Sequence, residues 1–180
     1  MRSIRIDVLA PPVDDDRVEL MTWSSGRGSL AAARRLSLAG DRGGAVELDS
    51  VWIHLGPDAK PARIDDFGPY AESAGARAVS TRLDLSEPPA GSPRTPWPLR
   101  ATDLDVLGHV NNAAYWHAVE QRLAETGFDV RGAFRARLDH RHPLDLGDRV
   151  ELLESASAGS LALAFAVDGV ARAVALVEKL

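Results

Sequence analysis

One stretch of this 180-residue chain, about 112 to 126, carries a long helical stripe, and strand-like segments lie on both sides of it. That imbalance limits the fold more than any other feature. Tyr115, Val119 and Leu123 recur on one helical face with Trp116 beside them, Glu120, Gln121 and Glu125 fall opposite, and Gly127 is placed as the residue that ends the helix. After it, segments 133–140, 148–154, 161–167 and 170–177 read as strands, the last two joined by Asp168-Gly169, a tight hairpin signal. Before it, 3–9 alternates at Ile4, Ile6 and Val8, and 18–23, 30–38 and 45–55 follow as three more strands, with a glycine-serine turn at 24–28 and a loop at 40–44. One helix among antiparallel neighbours predicts an α+β arrangement, a helix packed on a curved sheet. The first half reads as four strands without a comparable helix.

Seven of the eleven prolines, Pro61, Pro69, Pro88, Pro89, Pro93, Pro96 and Pro98, fall within 58–98, which reads as a connector containing one strand near 78–85. From 94 to 101 the chain is expected to be extended again. A composition of 45% hydrophobic and 26% charged residues is that of a folded domain, and a net charge of −5 with scattered basic residues excludes a nucleic-acid surface. With no cysteine there is no disulfide framework, thiolate nucleophile or cysteine-held zinc. No apolar run reaches the roughly 20 residues of a membrane span, and Arg2, Arg5 and Asp7 interrupt any signal-peptide core, so a cytoplasmic location is expected.

The segment Arg100-Ala-Thr-Asp-Leu-Asp-Val-Leu-Gly-His-Val-Asn-Asn-Ala-Ala-Tyr-Trp116 joins acidic residues, a glycine turn, a histidine and two asparagines to the start of the helix. Asp105 and His109 flank Gly108, and Asn111 and Asn112 are placed to cap the helix, whose first amides lack partners. A carboxylate beside free helical amides suits attack on a carbonyl that develops negative charge.

Asp103-Leu-Asp-Val-Leu-Gly-His-Val-Asn-Asn112 with Tyr115 resembles the hotdog-fold acyl-ACP thioesterases of plants and bacteria. The first half is similar to their first hotdog module in Asp16-Arg-Val-Glu-Leu-Met-Thr-Trp23, Arg34-Arg35, Ser50-Val-Trp52 and Lys60-Pro-Ala-Arg-Ile64. The resemblance implies two hotdogs in tandem, each a long helix wrapped by an antiparallel sheet, that hydrolyse fatty acyl-ACP, or acyl-CoA, to free fatty acid without metal or cofactor. It divides the chain into a partial first module at 1–75, a connector at 76–98 and a second module at 99–180. Family members carry a strand and a helix ahead of the part that resembles 1–12, so the first module is expected to lack its opening and its sheet to need a cover. Module two, a homodimer partner or a rearranged connector would supply one.

By the same resemblance Asp105 falls at the family's catalytic carboxylate and His109 at its site histidine, while Asp139, in Leu138-Asp-His-Arg-His-Pro143, stands for a further acid that is usually glutamate. Leu107 departs, since the family often has asparagine there and leucine neither bonds a carbonyl nor holds a water. Asp105 would act on water or attack the thioester directly, forming an anhydride, with His109 orienting the water or the thioester. Backbone N–H groups of Val110, Asn111 and Asn112 would bind substrate by polarising its carbonyl, one such donor being worth about 3 kcal/mol of barrier.

Other readings stand beside these. Asp105 is also a turn aspartate, His109 a histidine satisfied by backbone carbonyls, Asn111 and Asn112 helix caps, and Asp139 to His142 a solvated strand end. His54 and His117 read as structural, Tyr115, Trp116, Val119 and Leu123 as core, and Trp23 and Trp52 as the far end of an acyl tunnel. A metal held by Asp139, His109, His140 and His142 is disfavoured because nothing brings His109 to the others. The competing functions are a non-hydrolytic acyl-binding module, favoured by Leu107 and Asp139, and a hydratase, disfavoured because Asp-x-Asn-Pro-x-His is absent.

Overall fold

The computed structural model describes residues 1–58, 60–75 and 77–180. It comprises two compact units: 1–83 with 131–135 and 180, and 84–130 with 136–179. Ala76, first residue of the expected connector, lies outside the described residues.

In the first unit, β1 (Ser3–Ala10), β2 (Val18–Arg27), β3 (Ala31–Gly40) and β4 (Ala45–Ile53) form an antiparallel array in the order β2-β3-β4-β1. The alternation read from the sequence sets the register: Leu36 lies opposite Leu48 and Leu48 opposite Ile6, while Leu38 faces Val46 and Val46 faces Val8. Because neighbours along a strand point to opposite faces, these residues line one apolar face together with Ile4 and, across from Leu38, Leu20. Of that face Val8 is buried, Leu20 is exposed and the remainder are half-buried. The other face is charged. On it Asp7 pairs with Arg5 and with Arg135, whose Nε lies 2.5 Å away, and Asp49 pairs with Arg77 at 2.9 Å.

The turn expected at 24–28 is instead the end of β2, bent by a register shift between Ser24 and Gly26. The backbones approach closely there, since a Cβ on Gly26 would sit 3.1 Å from the Arg77 carbonyl oxygen and oblige it to shift slightly. The strand expected near 78–85 is absent. Ala78 makes one parallel bridge to Arg27, and the chain then runs without regular structure until β5. A helix of four residues, α1 (Ala71–Ala74), occurs in the first unit, in a stretch expected to be irregular.

The second unit holds β5 (Arg94–Trp97), α2 (Ala114–Thr126), most of β6 (Phe134–His140), β7 (Val150–Ala156), β8 (Ser160–Val167) and β9 (Val170–Lys179), the strands in the order β6-β9-β8-β7-β5. Asp168 (φ 51°) and Gly169 (φ 79°) close the β8–β9 hairpin in the left-handed conformation such a two-residue turn needs. α2 buries the expected stripe of Tyr115, Val119 and Leu123 together with Ala114 and Ala118. The Tyr115 ring packs edge-on to Phe165 at 5.0 Å and to His140 at 4.9 Å, with Trp97 5.1 Å from Phe165. Phe165, Leu163 and Leu161 are essentially inaccessible, and each side chain so buried contributes about 1.5–3 kcal/mol. Leu85 meets Ala164, Ala171 and Val174 in a further cluster of the core. The helix begins at Ala114, two residues later than expected, and ends at Gly127, whose N–H and that of Phe128 return to the carbonyls of Ala124 and Leu123.

Candidate active site

The segment before α2 is built on a buried carboxylate. Asp103, its side chain 1% exposed, accepts the Arg100 N–H at 2.8 Å and the Arg100 guanidinium at 2.7 Å, and its own carbonyl receives the Asn111 N–H at 2.7 Å. The hydrogen bonds from Arg100 hold the Asp103 carboxyl below the usual carboxylate range against the opposing effect of burial. Between these anchors the chain makes a tight loop. The Asp105 N–H donates to the His109 carbonyl at 2.8 Å, the Gly108 N–H to the Asp105 carbonyl at 3.1 Å, and Gly108 turns through φ 81°. Leu104 and Val110 bridge across its base. Asp105 and His109, four apart in sequence, therefore stand on the two arms of one loop.

Asp105 is half-buried. One oxygen, Oδ1, receives the Leu107 N–H at 2.8 Å, and Oδ2 accepts no hydrogen bond from the described residues. The turn reading of this residue is realised on Oδ1, and Oδ2 keeps its acceptor capacity. Leu107 is 69% exposed and Val106 fully so, which places two apolar side chains on the solvent side of the loop. His109 is exposed, and its Nδ1 lies 2.6 Å from Asp145 Oδ1. Asp145 sits on the loop between β6 and β7, where its N–H donates to the Asp148 carboxylate at 2.9 Å.

Three expectations change here. The Val110 N–H donates to the Leu144 carbonyl at 2.8 Å and the Asn111 N–H to Asp103, so neither amide is open to a substrate oxygen. Both are taken because the loop is tied into bridges on each side of it. Of the three amides, that of Asn112 is the one without a partner among the described residues. Neither asparagine caps: the N-cap of α2 is Ala113, without a side-chain bond, and Asn111 makes a turn ahead of it, its side chain accepting the Ala113 N–H at 2.8 Å and its carbonyl the Ala114 N–H at 2.9 Å. The third concerns Asp139, which is 4% exposed on β6 and whose Oδ2 accepts the N–H groups of Asp84 (3.1 Å) and Leu85 (3.0 Å). No hydrogen bond or ion pair among the described residues joins it to Asp105 or His109. A short acid in a strand interior reaches the backbone laid over it, and here it staples the segment that carries Leu85 into the core.

Asp145 and Asp148 went unnoticed in the sequence. The only signal was two aspartates in a turn, Asp145-Leu-Gly-Asp148, and nothing in their spacing ties them to a histidine 36 positions earlier. Both carboxylates act at a distance on Tyr115, whose phenol is pushed above the ordinary tyrosine range chiefly by burial. Asp148 also lines a half-open depression of about 590 Å³ with Pro96, Trp97, Pro98 and the charged Arg149, Glu151 and Asp168. His54 faces the Ala62 carbonyl at 3.2 Å, His117 is exposed on α2, and Trp52 is 44% exposed on β4. Among the described residues no group of three His, Asp or Glu side chains is placed to hold a metal, and no helix is long and apolar enough to cross a membrane.

Residues 86–169 match the family model of the acyl-ACP thioesterase C-terminal domain. An uncharacterized protein of Mycobacterium tuberculosis, found in two strains, is 29% identical over 181 residues, covering 97% of this chain and 71% of its own length. Among solved structures, the 12:0-ACP thioesterase from Umbellularia californica is similar with a TM-score of 0.79 at 19% identity, over 98% of this chain and 73% of that one. An acyl-ACP thioesterase from Bacteroides thetaiotaomicron gives a TM-score of 0.78 at 16% identity, over 98% and 74%. At such identities the likeness is one of fold.

Proposed function

We propose, from the premise that residues 86–169 are an acyl-ACP thioesterase C-terminal domain, that this chain hydrolyses fatty acyl thioesters carried on acyl carrier protein or coenzyme A, needing no metal or cofactor. The observation that carries this reading is the loop before α2. An aspartate with one carboxylate oxygen unpartnered among the described residues and a histidine stand on its two arms, in the motif that resembles the family's. Asp105 Oδ2 takes a proton from water as the water oxygen bonds to the thioester carbon. Collapse of the tetrahedral intermediate breaks the carbon–sulfur bond, and the proton held by Asp105 passes to the departing sulfur. The Asn112 N–H is the donor offered to the intermediate's oxygen. Leu107 brings no polar group, so the water rests on Asp105 and His109 alone. The depression lined by Trp97 and its neighbouring prolines is of a size to receive the acyl or carrier arm.

In this reading the first unit is the sheet of the first module of a tandem. The chain works as a cytoplasmic homodimer in fatty acid synthesis. The half-buried apolar face of β1 to β4 supports the dimer, because it carries Ile4, Ile6, Leu36, Leu38, Val46 and Leu48 without an intervening charge. Sedimentation showing a monomer at micromolar concentration would remove that part.

A second reading, an acyl-binding module without hydrolysis, is favoured by Leu107 and by the engagement of Asp139 in the core. Thiol release from acyl-ACPs and acyl-CoAs of several chain lengths, compared between the protein and Asp105→Ala, separates the two. Release that falls at least about 100-fold in the variant supports hydrolysis. Background release throughout, with retained acyl-ACP binding, supports the module.

A further inference from the structure

We propose that Asp145 is a positioning residue for His109, holding its Nδ1 protonated so that Nε2 presents a lone pair toward the water used by Asp105. The inference deepens the thioesterase reading, and its kinetic arm rests on it. Both partners are substantially open to solvent, the His109 side chain at 46% and that of Asp145 at 61%, where an isolated ion pair would be worth little. What distinguishes this pair is its backbone. His109 and Asp145 form an antiparallel bridge, and the next rung is the Val110 N–H on the Leu144 carbonyl, with Leu144 inaccessible and Val110 5% exposed. On the other side, the Asp148 N–H donates to the Asp145 carbonyl at 2.9 Å while the Asp148 carboxylate receives the Asp145 N–H. The 2.6 Å contact is thus set by main chain anchored in the core, and less by two mobile side chains finding each other.

The chemistry follows from the inventory of donors. An ionised carboxylate only accepts, so the bonded nitrogen of a neutral His109 carries the hydrogen and the other nitrogen is an acceptor. A water then has two acceptors before it, Asp105 Oδ2 and His109 Nε2. Its two hydrogens point at them, and its remaining lone pair is free for the carbonyl carbon. Leu107 makes this arrangement matter more, because position 107 supplies no side-chain hydrogen bond to orient the water. Among the described residues the charged group bonded to the His109 ring is Asp145, whose own N–H is held by the Asp148 carboxylate, and Asp105 meets His109 through its N–H on the His109 carbonyl.

The test uses the full chain with ¹⁵N-labelled histidine, and compares the protein with Asp145→Ala and Asp145→Glu. Long-range ¹H–¹⁵N spectra at a pH where His109 is neutral are expected to show the Nδ1–H form in the wild type and the Nε2–H form in Asp145→Ala, with Asp145→Glu between. In thiol-release assays Asp145→Ala is expected to lower kcat about tenfold or more while KM stays within about threefold, and Asp145→Glu to recover part of the loss. An unchanged His109 tautomer in Asp145→Ala overturns the proposal, as does wild-type kcat in that variant. A wild type without turnover sinks the thioesterase reading instead, and the tautomer measurement still decides whether Asp145 orients His109.

Discussion

Replacing Asp103 with alanine removes the buried carboxylate on which the candidate loop is hung. Three groups lose an acceptor: the Arg100 N–H at 2.8 Å, its Nε at 3.1 Å and its terminal nitrogen at 2.7 Å. The Arg100 side chain is 63% exposed and returns to water without an uncompensated buried charge, so the full penalty of breaking a buried ion pair does not apply. The loss that remains is about 1.5–3 kcal/mol, the range for hydrogen bonds to a charged group, plus the void left by a side chain that is 1% exposed. The expected result in urea unfolding is a stability lower by about 2 kcal/mol with unchanged slope. Because the folded carboxyl titrates below its unfolded value, this advantage of the wild type is complete above the unfolded pKa of about 3.9 and fades as pH falls through the folded one. A difference under about 0.5 kcal/mol at pH 7, or one that grows on acidification, would refute the account.

Asp139→Ala leaves the N–H of buried Leu85 without an acceptor while that of exposed Asp84 returns to water, and is expected to cost about 1–3 kcal/mol in thermal or urea unfolding while thiol release per folded molecule stays near wild type. A loss of kcat with unchanged stability would return Asp139 to the chemistry. The Tyr115 phenol, raised by burial, is expected to stay protonated in the folded protein beyond the ordinary tyrosine range of about 10. Its contribution to stability is therefore complete below that range and lost as pH rises through the folded value, which absorbance at 295 nm followed alongside circular dichroism would register as Tyr115 ionising together with unfolding. Gly127→Ala forces a side chain into φ 71° and is expected to lower stability by about 1 kcal/mol, read from the midpoint of denaturation.

Much of the architecture was legible because it is written in short-range pattern. The alternation Ile4, Ile6, Val8 and the stripe Tyr115, Val119, Leu123 each state which face is buried, and Gly127 and Asp168-Gly169 announce a stop and a hairpin through backbone freedom alone. The elements that escaped depend on distant neighbours. Ser24 to Gly28 has the composition of a turn, yet up to Arg27 it pairs with β3 through a register shift at Ser24/Gly26, a pairing set by the partner strand. Residues 78–85 have strand-like composition, yet their last two, Asp84 and Leu85, give their N–H groups to the buried Asp139 carboxylate instead of to a neighbouring strand.

The same division runs through the site. Sequence by itself determined that Asp105, His109 and the asparagines would share one loop, since a glycine turn of that length leaves nowhere else for them. Which amides stay free and which acid faces the histidine were decided by tertiary structure. Val110 and Asn111 give their N–H groups to carbonyls of Leu144 and Asp103, and Asp145, from a loop 36 residues away, reaches His109 where Asp139 does not. Hydrogen bonds between segments far apart in the chain depend on how the sheet brings its loops together, and local residue pattern carries no record of that.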